Sequence, residues 1–159
     1  MDDVDLKILA ILQEDASVSV GMIANQVGLS QTPCWRRIQR LEQNGVIRRR
    51  VALLDPDAIG LGLTVFVEIE SGDHSKEWLD RFAASIVAMP EVMEVHRMAG
   101  DVDYLLRVAA ANMAAFDLFY RNLIALLPLK NVTSRFAMEL VKGTTAFPIP
   151  AAAAKSRGR

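Results

Sequence analysis

The sequence predicts an α+β chain, with an N-terminal winged helix-turn-helix unit followed by a ferredoxin-like βαββαβ unit. Three observations predict it. Between Asp15 and Arg50, two short helical patterns flank Gly28-Leu29, and arginines line the second. From Leu63 onward, apolar residues alternate between strand and helix spacing in the order β-α-β-β-α-β. Ala58 to Gly62, with two glycines, separates the two patterns and reads as a hinge. The expected division is 1–54 for the helix-turn-helix, 55–61 for a linker, 62–147 for the ferredoxin-like unit and 148–159 for a tail.

In chain order, Asp3 is placed to cap a helix from Val4 to Glu14 whose apolar face carries Leu6, Ile8, Leu9, Ile11 and Leu12. Ser19 caps a second helix, Val20 to Val27, with Ile23, Ala24 and Val27 inward. Ser30 opens the third, Pro33 falls in its first turn where a missing N–H is harmless, and Gly45 ends it. Val46 to Leu54 reads as a basic strand stopped by Asp55-Pro56. Then follow a strand from Leu63 to Ile69 and a helix from Lys76 to Met89 with Trp78, Phe82, Ile86 and Met89 at helical spacing. Strands are expected at Val92 to Met98 and Asp103 to Ala109. A helix from Met113 to Leu127 and a final strand from Val132 to Val141 complete the pattern. One face of such a sheet lies open. Val65, Val67 and Val95 are expected there, and an apolar open face implies a second subunit. The tail from Pro148 is small and basic and is expected to be mobile at its end.

Composition narrows the function. The 159 residues are 52% hydrophobic with a net charge of -1, so wholesale disorder is excluded. Charge is local instead: six arginines fall between Arg36 and Arg50, with Glu42 the single acid among them. One cysteine, Cys34, allows no internal disulfide, and two histidines are few for a metal site. An acidic N-terminus without a signal-peptide pattern, and no membrane-length apolar run, lead us to expect a cytoplasmic protein that engages no membrane.

On a helical wheel, Cys34, Ile38 and Leu41 form the inward seam of the third helix. Thr32, Arg36, Gln39, Arg40 and Gln43 lie opposite, and Trp35 and Arg37 flank both faces. Residues near a reading helix's start reach base edges in the major groove. Gln31, Thr32, Trp35 and Arg36, beside Ser30, are therefore the candidates for base contact, with Arg36 able to donate to guanine O6 and N7. Arg37 and Arg40 are expected on phosphates, with Gln39 beside them. Strand alternation lets two of Arg48, Arg49 and Arg50 join them, Arg48 and Arg50 being the candidates.

In the second unit, Gly100-Asp101-Val102-Asp103-Tyr104 stands between two strands. It reads equally as a capped turn with solvated acids or as a loop offering acceptors to an amino group. His96 reads as a structural histidine or a pocket histidine. Asp101 and Asp103 lack the ligand density of a calcium site, no glycine pattern marks a phosphate loop, and no nucleophile–base pair can be assembled. We expect no metal, no cofactor and no enzymatic activity.

The stretches ANQVGLSQTPCWRRIQRLEQNGVI, ALLDPDAIGLGLTVFVEI, AGDVDYLLRV and SRFAMELVKGTTAFP, in this order and spacing, resemble the leucine-responsive/asparagine-regulator (Lrp/AsnC, feast/famine) family of transcription factors over nearly the whole chain. The resemblance implies a winged helix-turn-helix, a ferredoxin-like domain that binds amino acids, homodimers joined through the sheet and assembly toward octamers. It places the effector near Gly100, Asp101, Val102, Asp103 and Tyr104, with Thr133 and Ser134 at the final strand; His96, in its pocket reading, is the further candidate. Val102 stands where family members carry an aromatic residue. HSKEW, RMAGDVDYLLRV and SRFAMELVKGTT look most like the branch that responds to cysteine. The expected function is thus a nucleoid-located, DNA-binding regulator of transcription tuned by an amino acid such as cysteine. The alternative is an architectural DNA-binding protein without an effector.

Overall fold

The computed structural model describes residues 1–149; the greater part of the tail expected at 148–159 lies outside the described residues. Nine elements follow in order: α1 (Asp3–Glu14), α2 (Val20–Val27), α3 (Gln31–Gln43), β1 (Leu63–Ser71), α4 (Lys76–Val87), β2 (Val92–Arg97), β3 (Tyr104–Ala110), α5 (Met113–Leu126) and β4 (Leu129–Phe136). They divide into two compact units: Met1–Ala52 together with the segment from Lys142, and Leu53–Val141.

In the first unit, Ile8, Leu12, Ile23, Ala24, Cys34, Ile38 and Leu41 make the core. Ser19 caps α2 by accepting from the Met22 N–H, and Gly28 at φ 72 turns the chain in the left-handed region that glycine tolerates. Ser30 holds the N-cap position of α3 without a side-chain cap bond. The segment after Lys142 returns to α1, where the Gln13 side chain donates to the Phe147 carbonyl and accepts its N–H, both at 2.9 Å.

In the second unit, the strands run in the order β2-β3-β1-β4 with every neighbouring pair antiparallel. This is the ferredoxin-like order. α4 and α5 cover one face, burying Trp78, Phe82, Ile86, Phe116, Phe119 and Leu123 against Val65, Val67, Ile69, Leu106 and Val108. Trp78 stacks on Phe82 at 4.9 Å, and Phe82 meets Tyr104 at 4.5 Å.

Four expectations are corrected. Val46 to Leu54 is not a strand in this chain. Its β-branched and apolar residues fall in blocks around three arginines, it has no partner strand to bond, and Val51, Leu53 and Leu54 are exposed. The helix cap is Asp2, not Asp3: Asp2 accepts from the Val4 and Asp5 N–H groups, and Asp5 returns a bond to the Asp2 N–H. The final strand is Leu129–Phe136 rather than Val132 to Val141, because β1 supplies partners only from Val65 to Ser71. Val65 and Val67 are fully buried under the helices instead of lying on the open face, and Val95 pairs with buried Leu106 on that same side. The strand's all-apolar side goes to the helix layer, leaving Thr64, Phe66, Glu68 and Glu70 open. The segment expected to act as a hinge, Ala58 to Gly62, holds a bonded turn: Asp55 accepts the Asp57 N–H at 2.9 Å, and Leu61 donates to the Pro56 carbonyl at 2.8 Å.

Candidate nucleic-acid interface and ligand loop

On α3 the inward seam is Cys34, Ile38 and Leu41, as the wheel requires, and Thr32, Trp35, Arg36, Arg40 and Gln43 are exposed. Gln31, Thr32 and Trp35 share a shallow pocket of about 240 Å³ with Val20 of α2. A pocket with an indole wall and a threonine methyl suits a thymine methyl group. Arg36 is exposed and has no carboxylate partner among the described residues. Gln39 donates to Glu42 at 2.9 Å, and Arg50 pairs with Glu42 at 2.9 Å. Arg48 and Arg49 are exposed on the extended segment that follows.

Arg37 and Arg40, expected on phosphates, both meet acids at the start of α1. Arg37 Nη1 reaches Asp2 and Asp5, each at 2.7 Å, and Arg40 Nη2 reaches Asp5 at 2.9 Å. The Asp5 side chain is only 1% exposed. Burial alone pushes the Asp5 carboxyl up, but the Arg37 hydrogen bond and the Asp2 N–H outweigh it and hold it below the usual range. The Asp5 N–H, with Arg37 next, brings Asp2 down to about 2. Sequence reasoning missed Asp5, although it shares the i, i+3, i+7 stripe of Ile8 and Leu12, where an unpaired carboxylate is not tolerated.

In the second unit, the Gly100–Asp103 loop joins β2 to β3. Gly100 sits at φ 123, a backbone conformation side chains avoid, and Met98 N–H closes the loop onto the Asp103 carbonyl at 2.8 Å. The two acids of the loop differ. Asp101 is exposed. Asp103 accepts from the Ser71 N–H at 2.7 Å and from its hydroxyl at 3.2 Å, and the Ser71 N–H chiefly holds its carboxyl below the ordinary range. His74 Nδ1 lies 3.2 Å from the Ser71 hydroxyl. Ser71 and His74 were not singled out in the sequence; the cue was a serine ending an apolar alternation at a core-facing position.

The remaining expected ligand residues separate. Tyr104 is buried in the aromatic core beneath α4. His96, Leu105, Glu68 and Thr133 form one cross-sheet row on the open face, and Ser134 points to the helix side beside Val67. Three strand spacings, about 14 Å, divide His96 from Thr133, too far for one small ligand to bridge within a chain. His96 Nε2 is 3.1 Å from Glu94, which also binds Arg107. A shallow depression of about 330 Å³ near the loop is lined by Gly72, Asp73, Trp78, Pro128, Leu129 and Lys130. No group of three metal-ligating side chains occurs among the described residues, and no helix is long and apolar enough to cross a membrane.

Comparison with known proteins accords with both units. The AsnC-type helix-turn-helix domain matches residues 1–42, and the Lrp/AsnC ligand binding domain matches residues 64–147. The DNA-binding transcriptional activator DecR of Escherichia coli (strain K12) is 50% identical over 94% of this chain and 99% of its own length. The glutamate uptake regulatory protein of Zymomonas mobilis is 46% identical over 94% and 92%. Among solved structures, an AsnC family transcriptional regulator from Agrobacterium tumefaciens superposes with a TM-score of 0.90 at 55% identity, covering 93% of this chain and 97% of that one. A Neisseria meningitidis transcriptional regulator in complex with L-Met also gives 0.90, at 34% identity over 94% and 97%.

Proposed function

The chain belongs to the Lrp/AsnC family of DNA-binding transcriptional regulators, and on that premise we propose that an amino acid, with cysteine the first candidate, controls how it reads DNA. The observation that carries this reading is the division of labour in the Gly100–Asp103 loop. Asp103 is consumed in fixing the loop to Ser71, which leaves Asp101 as the acceptor presented to a ligand's ammonium group. Backbone N–H groups near Gly100 take its carboxylate. In this reading His96 and Thr133 enter the site from different subunits, which their separation across one sheet supports. The names of the relatives point to different amino acids, since one is a glutamate uptake regulator and another is complexed with L-Met.

On the DNA side, Gln31, Thr32, Trp35 and Arg36 read bases, Ser30 and Gln39 sit beside them, and Arg40, Arg48 and Arg50 meet phosphates. The working form is a homodimer that assembles toward an octamer and acts on the nucleoid. This assembly is supported by the unpartnered segment that opens the second unit, with Leu53 71% and Leu54 68% exposed. Exposed Leu118 and Ile124 on α5 support a further subunit contact. The ligand acts only if it binds one assembly more tightly than another. The test is footprinting on the protein's own upstream DNA at fixed salt, with cysteine, methionine, glutamate and leucine supplied separately. A footprint changed by one amino acid supports the reading. A specific footprint indifferent to every amino acid rejects the effector and favours an architectural role.

A further inference from the structure

We propose that Asp5 is a positioning residue for DNA reading: it fixes the azimuth of α3, withdraws Arg37 from the DNA and presents Arg40 to it. The geometry is one carboxylate receiving three partners. Asp5 Oδ2 accepts the Asp2 N–H at 3.0 Å and Arg40 Nη2 at 2.9 Å; Oδ1 accepts Arg37 Nη1 at 2.7 Å and Arg40 Nη2 at 3.1 Å. Asp2 takes the same Arg37 nitrogen from the other side at 2.7 and 2.9 Å. The N-cap Asp2 and the first-turn Asp5 of α1 thus bind two arginines one turn apart on α3.

The rest of the α1–α3 contact is apolar, centred on Ile8, Ile38 and Leu41. Apolar contacts are non-directional and tolerate sliding, whereas charge-assisted bonds fix orientation. A helix with side chains reaches about 5–6 Å from its axis, so a rotation of about 10° moves the tips of Thr32 and Arg36 by about 1 Å. That is enough to break a bidentate contact with a base edge. The two arginines then take different roles. Arg37 is 27% exposed with its inner nitrogen saturated by acids, so it contributes little free charge. Arg40 is 54% exposed and held by one terminal nitrogen, leaving its other N–H groups pre-oriented toward solvent. A phosphate contact from a held guanidinium loses less side-chain freedom on binding.

The test compares wild type, Asp5→Asn and Arg37→Met on two duplexes: one selected by the wild-type protein from a random library, and its scrambled counterpart. Binding is measured between about 50 and 200 mM salt, the range in which phosphate contacts dominate the slope. Asp5→Asn removes a negative charge, so a mere field effect would tighten both complexes by the same factor. The positioning role predicts the opposite for the selected duplex, a loss of about 10-fold or more, as for misreading one base pair. Binding to the scrambled duplex stays unchanged or tightens. Arg37→Met lowers the same preference without reducing the salt slope. Parallel tightening on both duplexes by Asp5→Asn overturns the proposal. So does an Arg37→Met slope that falls by about 0.9, the loss of one phosphate contact, with the preference intact. Should Asp5→Asn lose its helical circular-dichroism signal, Arg37→Met decides by the same criteria.

Discussion

Replacing Asp103 by alanine separates the two carboxylates of the ligand loop. Asp103 accepts the Ser71 N–H at 2.7 Å, and Ser71 is only 5% exposed. With the carboxylate gone, the Ser71 hydroxyl can turn to His74 Nδ1, which already lies at 3.2 Å. The Ser71 N–H has no such alternative and is left orphaned at the edge of the core. An orphaned buried donor costs about 1–3 kcal/mol. Taking about 2 kcal/mol, and about 4–8 °C of Tm per kcal/mol for a unit of this size, the second unit should melt about 8–16 °C lower. Asp101→Ala removes an exposed side chain and should stay within about 0.5 kcal/mol of wild type. Urea titration and differential scanning calorimetry measure the difference, and DNA binding with and without the effector is followed alongside. Asp101→Ala should keep its basal DNA affinity and lose the amino-acid response. If Asp101→Ala destabilises the protein as much as Asp103→Ala, the assignment of one acid to structure and the other to ligand is refuted.

Three further outcomes follow from the first unit. Arg36→Ala should weaken the selected duplex by about 1–3 kcal/mol and relax preference at a single base position, read by competition with point-varied duplexes. Cys34 is fully buried, and burial pushes its thiol up, so Ellman's reagent should react at neutral pH only as the first unit unfolds. Asp2 and Asp5 have folded pKa values below their unfolded ones, so their stabilisation is complete above about pH 4. It should fade as acid carries the protein down toward pH 2, where Asp2 protonates; Asp2→Asn should flatten urea midpoints over that window.

The residues that misled sequence reading did so for physical reasons. Helix positions and inward seams follow from local spacing, and α3's Cys34, Ile38 and Leu41 were legible from it. Val65 and Val67 announce an apolar side of β1, but which side the helices cover is a tertiary fact; Glu68 and Glu70 on the alternate positions were the available hint. Val46 to Leu54 carries apolar and β-branched residues suited to a strand, yet a strand exists only where another offers its backbone. Arg37 and Arg40 read as a solvated cationic face because their acids lie more than thirty positions earlier. The Gly100–Asp103 loop was legible as a special turn, while the bond that distinguishes its two acids comes from Ser71, on the neighbouring strand and 32 positions earlier.

The paired amide bonds between Gln13 and Phe147 make the ligand-binding unit an insertion within the DNA-reading unit, entered after Ala52 and left before Lys142. During synthesis, α1 waits for more than a hundred residues before its last backbone partner exists. The reading unit is therefore the first begun and the last completed. A nascent chain halted before Phe147 carries every residue of the reading helix but lacks the two bonds that tie Gln13 to Phe147.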